Sequence, residues 1–169
     1  MTASSKQPTT AKPSAIVFIV VILIAVFSAC GQENISNNKP KESNMRIKII
    51  IGENEFPAII YDNETARVFL TKLPLKVNMT ELNGNEKYYT FSENLSKETA
   101  QNPGTINAGD IMLWSSNTLV LFYKTFSTSY SYIKIGRIED TKNLEVALGR
   151  KNIDVVFREE YQPSAEVKK

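Results

Sequence analysis

The chain has 169 residues, 20 Lys and Arg against 18 Asp and Glu, one cysteine and no histidine. The lack of histidine excludes Ser-His and Cys-His nucleophile systems and any metal site that needs imidazole. A lone cysteine excludes an intramolecular disulfide framework, and the near-balanced charge argues against nucleic acid as a partner.

The first residues are polar, carrying Lys6 and Lys12 and no acid, and run into an apolar stretch from Ala15 to Val26. Phe27-Ser28-Ala29 then precede Cys30 and Gly31. A positive segment, an apolar segment and small residues in that order make a secretory signal. A cysteine directly after it resembles a bacterial lipobox, with Phe27 standing where leucine is usual. That resemblance implies removal of residues 1–29, lipidation of Cys30 with acyl chains such as palmitate, and anchoring on the extracytoplasmic face of the cell membrane. Two other readings stay open. The apolar run can remain as an uncut anchor, although it falls short of the roughly 18–20 apolar residues a span needs. An ordinary signal peptidase can also cut nearby, leaving Cys30 incidental. Without Lys6 and Lys12 the remaining chain is neutral.

Residues 30–44 are polar and read as a flexible tether, and residues 158–169 as a polar tail. The stretch 45–157 carries the fold. Arg46 to Ile51 is a strand with Ile47, Ile49 and Ile51 on one face. After the Gly52–Glu55 turn, Phe56 to Tyr61 is a second strand. Asp62 is placed to cap a helix from Asn63 to about Leu73, with Ala66, Phe69, Leu70 and Leu73 inward and Pro74 as its stop. Leu75 to Met79 is a short strand, followed by a long polar loop from Thr80 to Asn107. Ile111 to Trp114, Thr118 to Lys124 and Tyr130 to Ile138 are further strands. The segment Leu119 to Tyr123 is apolar on both faces and therefore central. A helix capped by Asp140 buries Leu144, Ala147 and Leu148 and ends at Gly149; Ile153 to Phe157 is the last strand. Many short strands with turn signals predict a mainly β protein, a closed barrel or sandwich with two helices plugging its ends.

That element order resembles the cyclophilins. Glu64-Thr65-Ala66-Arg67-Val68-Phe69 is similar to their first helix. Ala108-Gly109-Asp110-Ile111 is similar to the Gly-Asp start of a strand in small bacterial cyclophilin-like domains, and Ile135-Gly136-Arg137-Ile138 to a late strand. The segments Leu82 to Tyr88 and Phe126 to Ile138 resemble the same bacterial group. The resemblance implies a closed cyclophilin-like barrel with two short helices capping its ends. Isomerase members rotate prolyl peptide bonds, against a barrier of about 18–20 kcal/mol, with an arginine that hydrogen-bonds near the prolyl nitrogen. Leu75 to Asp110 contains no arginine; its cations are Lys76, Lys87 and Lys97, and lysine lacks the planar guanidinium fork. Val120-Leu121-Phe122-Tyr123 stands where those members carry Ser-Gln-Phe-Phe, so only Phe122 matches.

The candidate ligand-binding residues are Asn85, Lys87, Tyr88, Trp114, Phe122, Ser127, Ser129 and Tyr130. Tyr88 reads as an aromatic wall with Asn85 and Lys87 as polar anchors, set against plain loop packing. Phe126 to Tyr132 interleaves hydroxyls with aromatics, suited to a peptide or glycan surface but equally to a hairpin connection. Trp114 reads as core more readily than as site. No catalytic residue, metal ligand or cofactor is assigned. The reading favours a lipid-anchored binding or accessory module with a peptide, small-molecule or protein partner. The competing reading is a weak prolyl isomerase or a chaperone for exported proteins.

Overall fold

The first strand shows how the sequence builds the interior. Ile47, Ile49 and Ile51 alternate with Lys48 and Ile50, and the first three are buried, as the period of two requires. The structure, a computed structural model, describes residues 42–160, with side chains described from Met45 onward. The signal segment, Cys30, the tether up to residue 41 and the tail beyond residue 160 lie outside the described residues.

Eight strands close into an antiparallel barrel in the order β1-β10-β3-β4-β7-β6-β9-β2. They are β1 (Glu42–Ile51), β2 (Asn54–Tyr61), β3 (Leu75–Leu82), β4 (Glu86–Thr90), β6 (Asp110–Trp114), β7 (Thr118–Phe122), β9 (Tyr132–Ile138) and β10 (Ile153–Glu159). Outside the barrel β5 (Thr105–Ile106) pairs with β8 (Phe126–Ser127). The interior is one apolar cluster that includes Ile49, Ile60, Met79, Leu113, Leu121, Ile135 and Phe157. Closure between β9 and β2 depends on Gly136, where a Cβ would sit 2.4 Å from the Ile59 carbonyl oxygen.

Helix α1 (Glu64–Leu70) lays Ala66 and Phe69 into that interior, Phe69 meeting Phe157 edge-on at 5.7 Å. Its cap is Asn63 rather than Asp62. The Asn63 Oδ1 accepts from the Ala66 N–H at 2.8 Å, while its Nδ2 donates to the Lys134 carbonyl of β9 at 2.8 Å. Asp62 instead pairs with Arg67. The helix stops at Leu70, where Thr71 already bonds back to both Arg67 and Val68. Helix α2 (Leu144–Leu148) buries Leu144 and Leu148 in the same cluster. Asn143, at φ 67°, begins it without a side-chain cap, and Asp140 accepts from Lys142 N–H in the preceding turn.

The long polar loop expected from Thr80 to Asn107 is not one loop. β3 continues to Leu82, β4 follows an Asn83–Gly84 turn, and only the segment after Thr90 is irregular until β5. Hydrophobic alternation missed β4 because one of its inward positions is a lysine. The other strand ends also shift: β9 begins at Tyr132, β7 ends at Phe122, β1 reaches back to Glu42 and β10 forward to Glu159. Among the described residues, no helix is long and apolar enough to cross a membrane.

Leu121 is fully buried on β7, between Lys87 of β4 and Ile111 of β6. Truncation there removes core atoms and leaves a cavity. Leu121→Ala is expected to destabilise by about 2–5 kcal/mol in denaturant unfolding; a loss under about 1 kcal/mol would contradict a central position for β7.

Candidate functional site

Adjacent residues of β4 serve opposite sides of the barrel wall. Lys87 points inward and is fully buried; Glu86 and Tyr88 point outward. Inward, Glu81 of β3, Lys87 of β4 and Tyr123 just after β7 meet at one end of the barrel. The Lys87 ammonium pairs with Glu81 and donates to the carbonyls of Gly149 at 3.0 Å and Lys151 at 2.7 Å. The Tyr123 hydroxyl donates to both Glu81 oxygens at 2.9 Å, and the Gly84 N–H donates at 2.8 Å. Lys87 also lies 5.5 Å from the Tyr123 ring centroid. Burial works to raise the Glu81 pKa, but its hydrogen bonds from Lys87, Tyr123 and Gly84 outweigh that and hold it below the ordinary value. Burial and donation to Glu81 push the Tyr123 hydroxyl up to about 12. Every donor of the ammonium is thereby used.

Outward, a second apolar cluster covers β7, β6 and β9. Met112, Val120, Phe122 and Tyr132 are buried there together with Ile106 of β5. Phe122 meets Tyr132 edge-on at 5.5 Å and lies 5.8 Å from Phe126 of β8. Beside this cluster opens a concavity of about 400 Å³. Its floor is Val120 and Thr118 of β7; β3 and β4 contribute Leu82, Glu86, Tyr88 and Thr90, with Asn83 at their turn. Trp114 of β6, Tyr130 and Tyr132 complete it. The register accounts for the grouping: Tyr88 stands opposite Val120, Thr90 opposite Thr118, and Trp114 opposite both Thr118 and Tyr132. The Thr90 and Thr118 hydroxyls are 3.2 Å apart.

Glu86 is the acidic group of this lining. It is partly buried and makes no ion pair or side-chain hydrogen bond among the described residues. Burial first, and then the charge of Glu81, raises its pKa. Burial, then the charge of Glu86, likewise raises that of Tyr132.

Of the residues singled out in the sequence, the concavity brings together Tyr88, Trp114 and Tyr130. Trp114 is 49% exposed and Tyr130 65% exposed, so Trp114 is a wall of the concavity and not core. Lys87 is turned into the barrel and held by four polar or aromatic partners, so it is no anchor for an outer ligand. Asn85 sits in the β3–β4 connection, its Oδ1 buried without a partner, and is not among the lining. Phe122 lies beneath Phe126 and Tyr132 as support. Ser127 pairs with Thr105 through the outer ribbon, and the Ser129 carbonyl accepts from Asn102 at 3.1 Å; neither serine lines the concavity. Glu86, Thr118 and Val120 were missed. The signal for Glu86 was available in the period of two: an outward Tyr88 makes Glu86 outward as well. Asp110 accepts from the Asn107 N–H at 2.8 Å, capping the turn that leads into β6.

Two substitutions separate the two faces. Lys87→Ala strips Glu81 of its counter-ion and takes a donor from two carbonyls, and is expected to cost about 3–5 kcal/mol in chemical unfolding. Glu86→Gln acts in the other direction. A carboxyl whose folded pKa lies above its ordinary 4.5 lowers stability as pH rises through that range, and the full penalty stands at neutral pH. Glu86→Gln is therefore expected to raise the melting temperature at pH 7.5, with the gain vanishing in acid below the ordinary carboxylate range. A melting temperature lowered at pH 7.5 would contradict this electrostatic account.

The profile of the cyclophilin-like family matches residues 49–158, which is most of the chain. Among solved structures, the solution structure of the hypothetical protein AF2241 from Archaeoglobus fulgidus superposes with a TM-score of 0.54 at 21% identity. The match covers 73% of this chain and 99% of that one, a likeness of fold. No curated protein matches the chain. With the barrel closed in eight strands and the family profile spanning it, this chain belongs to the cyclophilin-like family.

Proposed function

We propose that this protein is a lipid-anchored, extracytoplasmic binding or accessory module. Its barrel presents the outer concavity to an organic ligand or to a segment of a partner. The observation that carries this reading is the concavity itself: about 400 Å³, walled by Tyr88, Trp114, Tyr130 and Tyr132, with Trp114 and Tyr130 left largely exposed. Large aromatic side chains outside the core are surface suited to recognition. They are carried mainly on strands of a closed barrel, which holds a site more rigidly than loops do.

The chemistry of the lining supports binding over prolyl isomerisation. Weakening amide resonance calls for a positioned cationic donor near the prolyl nitrogen. The charged group in the concavity is the carboxylate of Glu86, and the lysine beside it in sequence is committed to the barrel interior. The anchor rests on the sequence around Cys30: a signal-like segment ending in small residues directly before the only thiol. A single acyl chain binds a membrane reversibly, whereas two or more hold it stably.

Both halves of the reading have direct tests. The purified full chain is expected to leave the rate of prolyl isomerisation of a reporter peptide at background. Acceleration comparable to an isomerase cyclophilin, lost on Tyr88→Ala, would place an enzyme at this concavity. In bacterial expression, Cys30→Ser is expected to abolish lipid labelling and globomycin-sensitive processing. A parent chain that remains at precursor size, with Cys30→Ser equally membrane-bound, would favour an uncut anchor instead.

A further inference from the structure

We infer that the concavity takes an organic cation with an apolar stem, an alkylammonium group either free or on a lysine side chain. The inference rests on the binding-module reading and names its ligand class.

Three observations converge. First, Glu86 is an unpaired, partly buried carboxylate within the lining. The nearby acid that acts on it is Glu81, of like sign. Glu81 has its own counter-ion in Lys87, which lies inside the wall and has no further donor to offer. Glu86 therefore lacks the cation that would compensate it. Second, the walls beside Glu86 are aromatic. Tyr88 follows it by two residues on the same face of β4, and Tyr132 lies close enough to feel its charge. Aromatic faces together with a carboxylate are the chemistry that receives ammonium groups. Third, the lining runs along the strands. Glu86 lies opposite Phe122 at one end, while Thr90, Thr118 and Trp114 form a row at the other. The rows are four residue steps apart along the strand, about 13 Å at roughly 3.3 Å per residue. Between them Tyr88 and Val120 offer an apolar track. A cation at the Glu86 end would lay its stem along that track toward Trp114.

The charge argument selects the sign of the ligand. An anion would meet Glu86 and be repelled. A neutral apolar ligand would fill the track but leave the carboxylate further desolvated and still unpaired, which costs binding free energy. A cationic head both neutralises the carboxylate and leaves its stem on the apolar track, whereas a neutral donor can hydrogen-bond to Glu86 without compensating its charge.

Trp114 is the chain's only tryptophan, so its indole N–H gives a single resonance from within the site. The test follows that resonance in the ¹⁵N-labelled full chain, held in unlabelled lipid nanodiscs. The probes are hexylammonium, hexyltrimethylammonium, hexanol and a short acetylated peptide with one lysine. Both ammonium probes are expected to shift the resonance saturably, at concentrations at least tenfold below hexanol. Glu86→Gln is expected to weaken the ammonium probes at least tenfold and not to weaken hexanol, whose penalty at the carboxylate it relieves. It removes an uncompensated charge and should not impair folding. Tyr88→Ala is expected to weaken all the probes that bind. A lysine peptide that binds more tightly than hexylammonium would identify a peptide as the source of the cation, and equal binding a free amine. Hexanol matching hexylammonium, with Glu86→Gln having no effect, would overturn the cation while leaving a binding site. No shift with any probe would overturn the cation and count against the binding-module reading as well.

Discussion

A closed barrel has no free edge, and every strand in it must commit alternate side chains to the interior or the exterior. In this protein that constraint falls hardest on β4. It is fixed near its start by Lys87, whose ammonium is buried with Glu81, Tyr123 and two backbone carbonyls around it. A buried charge is tolerated only when paired and hydrogen-bonded. These partners come from β3, from the residue after β7 and from the segment after α2. The network therefore ties four parts of the chain together at one end of the barrel. With Lys87 fixed inward, Glu86 and Tyr88 have no choice but to face out, and the concavity follows from that register.

The contrast between the two glutamates on adjacent strands shows what the fold does with charge. Glu81 and Glu86 are five positions apart in sequence and differ in partners. Glu81 receives an ammonium, a phenol and a backbone N–H, and its pKa is lowered despite burial. Glu86 receives none of these, and its pKa is raised. One carboxylate supports the structure while the other is held against it. Groups perturbed by desolvation in a cleft are enriched at functional sites, and here the perturbed group shares its cleft with exposed aromatics.

Much of the barrel is written in the sequence, because its interior follows simple alternation. Ile47, Ile49 and Ile51 announce β1, and the doubly apolar Leu119 to Phe122 announces a strand covered on both faces, by the interior on one side and by Phe126 and Tyr132 on the other. What alternation hides is a strand whose inward positions are polar. β4 places a lysine and a tyrosine inside, so its five residues read as loop. Only the partners on distant elements make Lys87 acceptable there, and no local pattern announces them. The same limit applies to Trp114. A lone tryptophan ending an apolar strand reads as core, yet the alternation of five-residue β6 from Asp110 puts it on the outer face, beyond the cover that β5 and β8 give to Met112.

The outer ribbon decides how much of that face remains open. β5 and β8 bring Ile106 and Phe126 over Phe122 and Met112, closing the part of the wall nearest the Gly109 turn. The ribbon is only two residues deep on each side. After Ser127 the chain returns to the wall at Tyr132, leaving Tyr130 exposed in the connection. A longer ribbon would continue the apolar cover across Val120 and Tyr88, and a shorter one would leave Phe122 in water. The concavity thus exists where an interior-like surface on the outside of the barrel runs out of its own chain to cover it. Its shape is set by strand register, its depth by the reach of the ribbon, and its charge by the single carboxylate that the register of β4 turns outward.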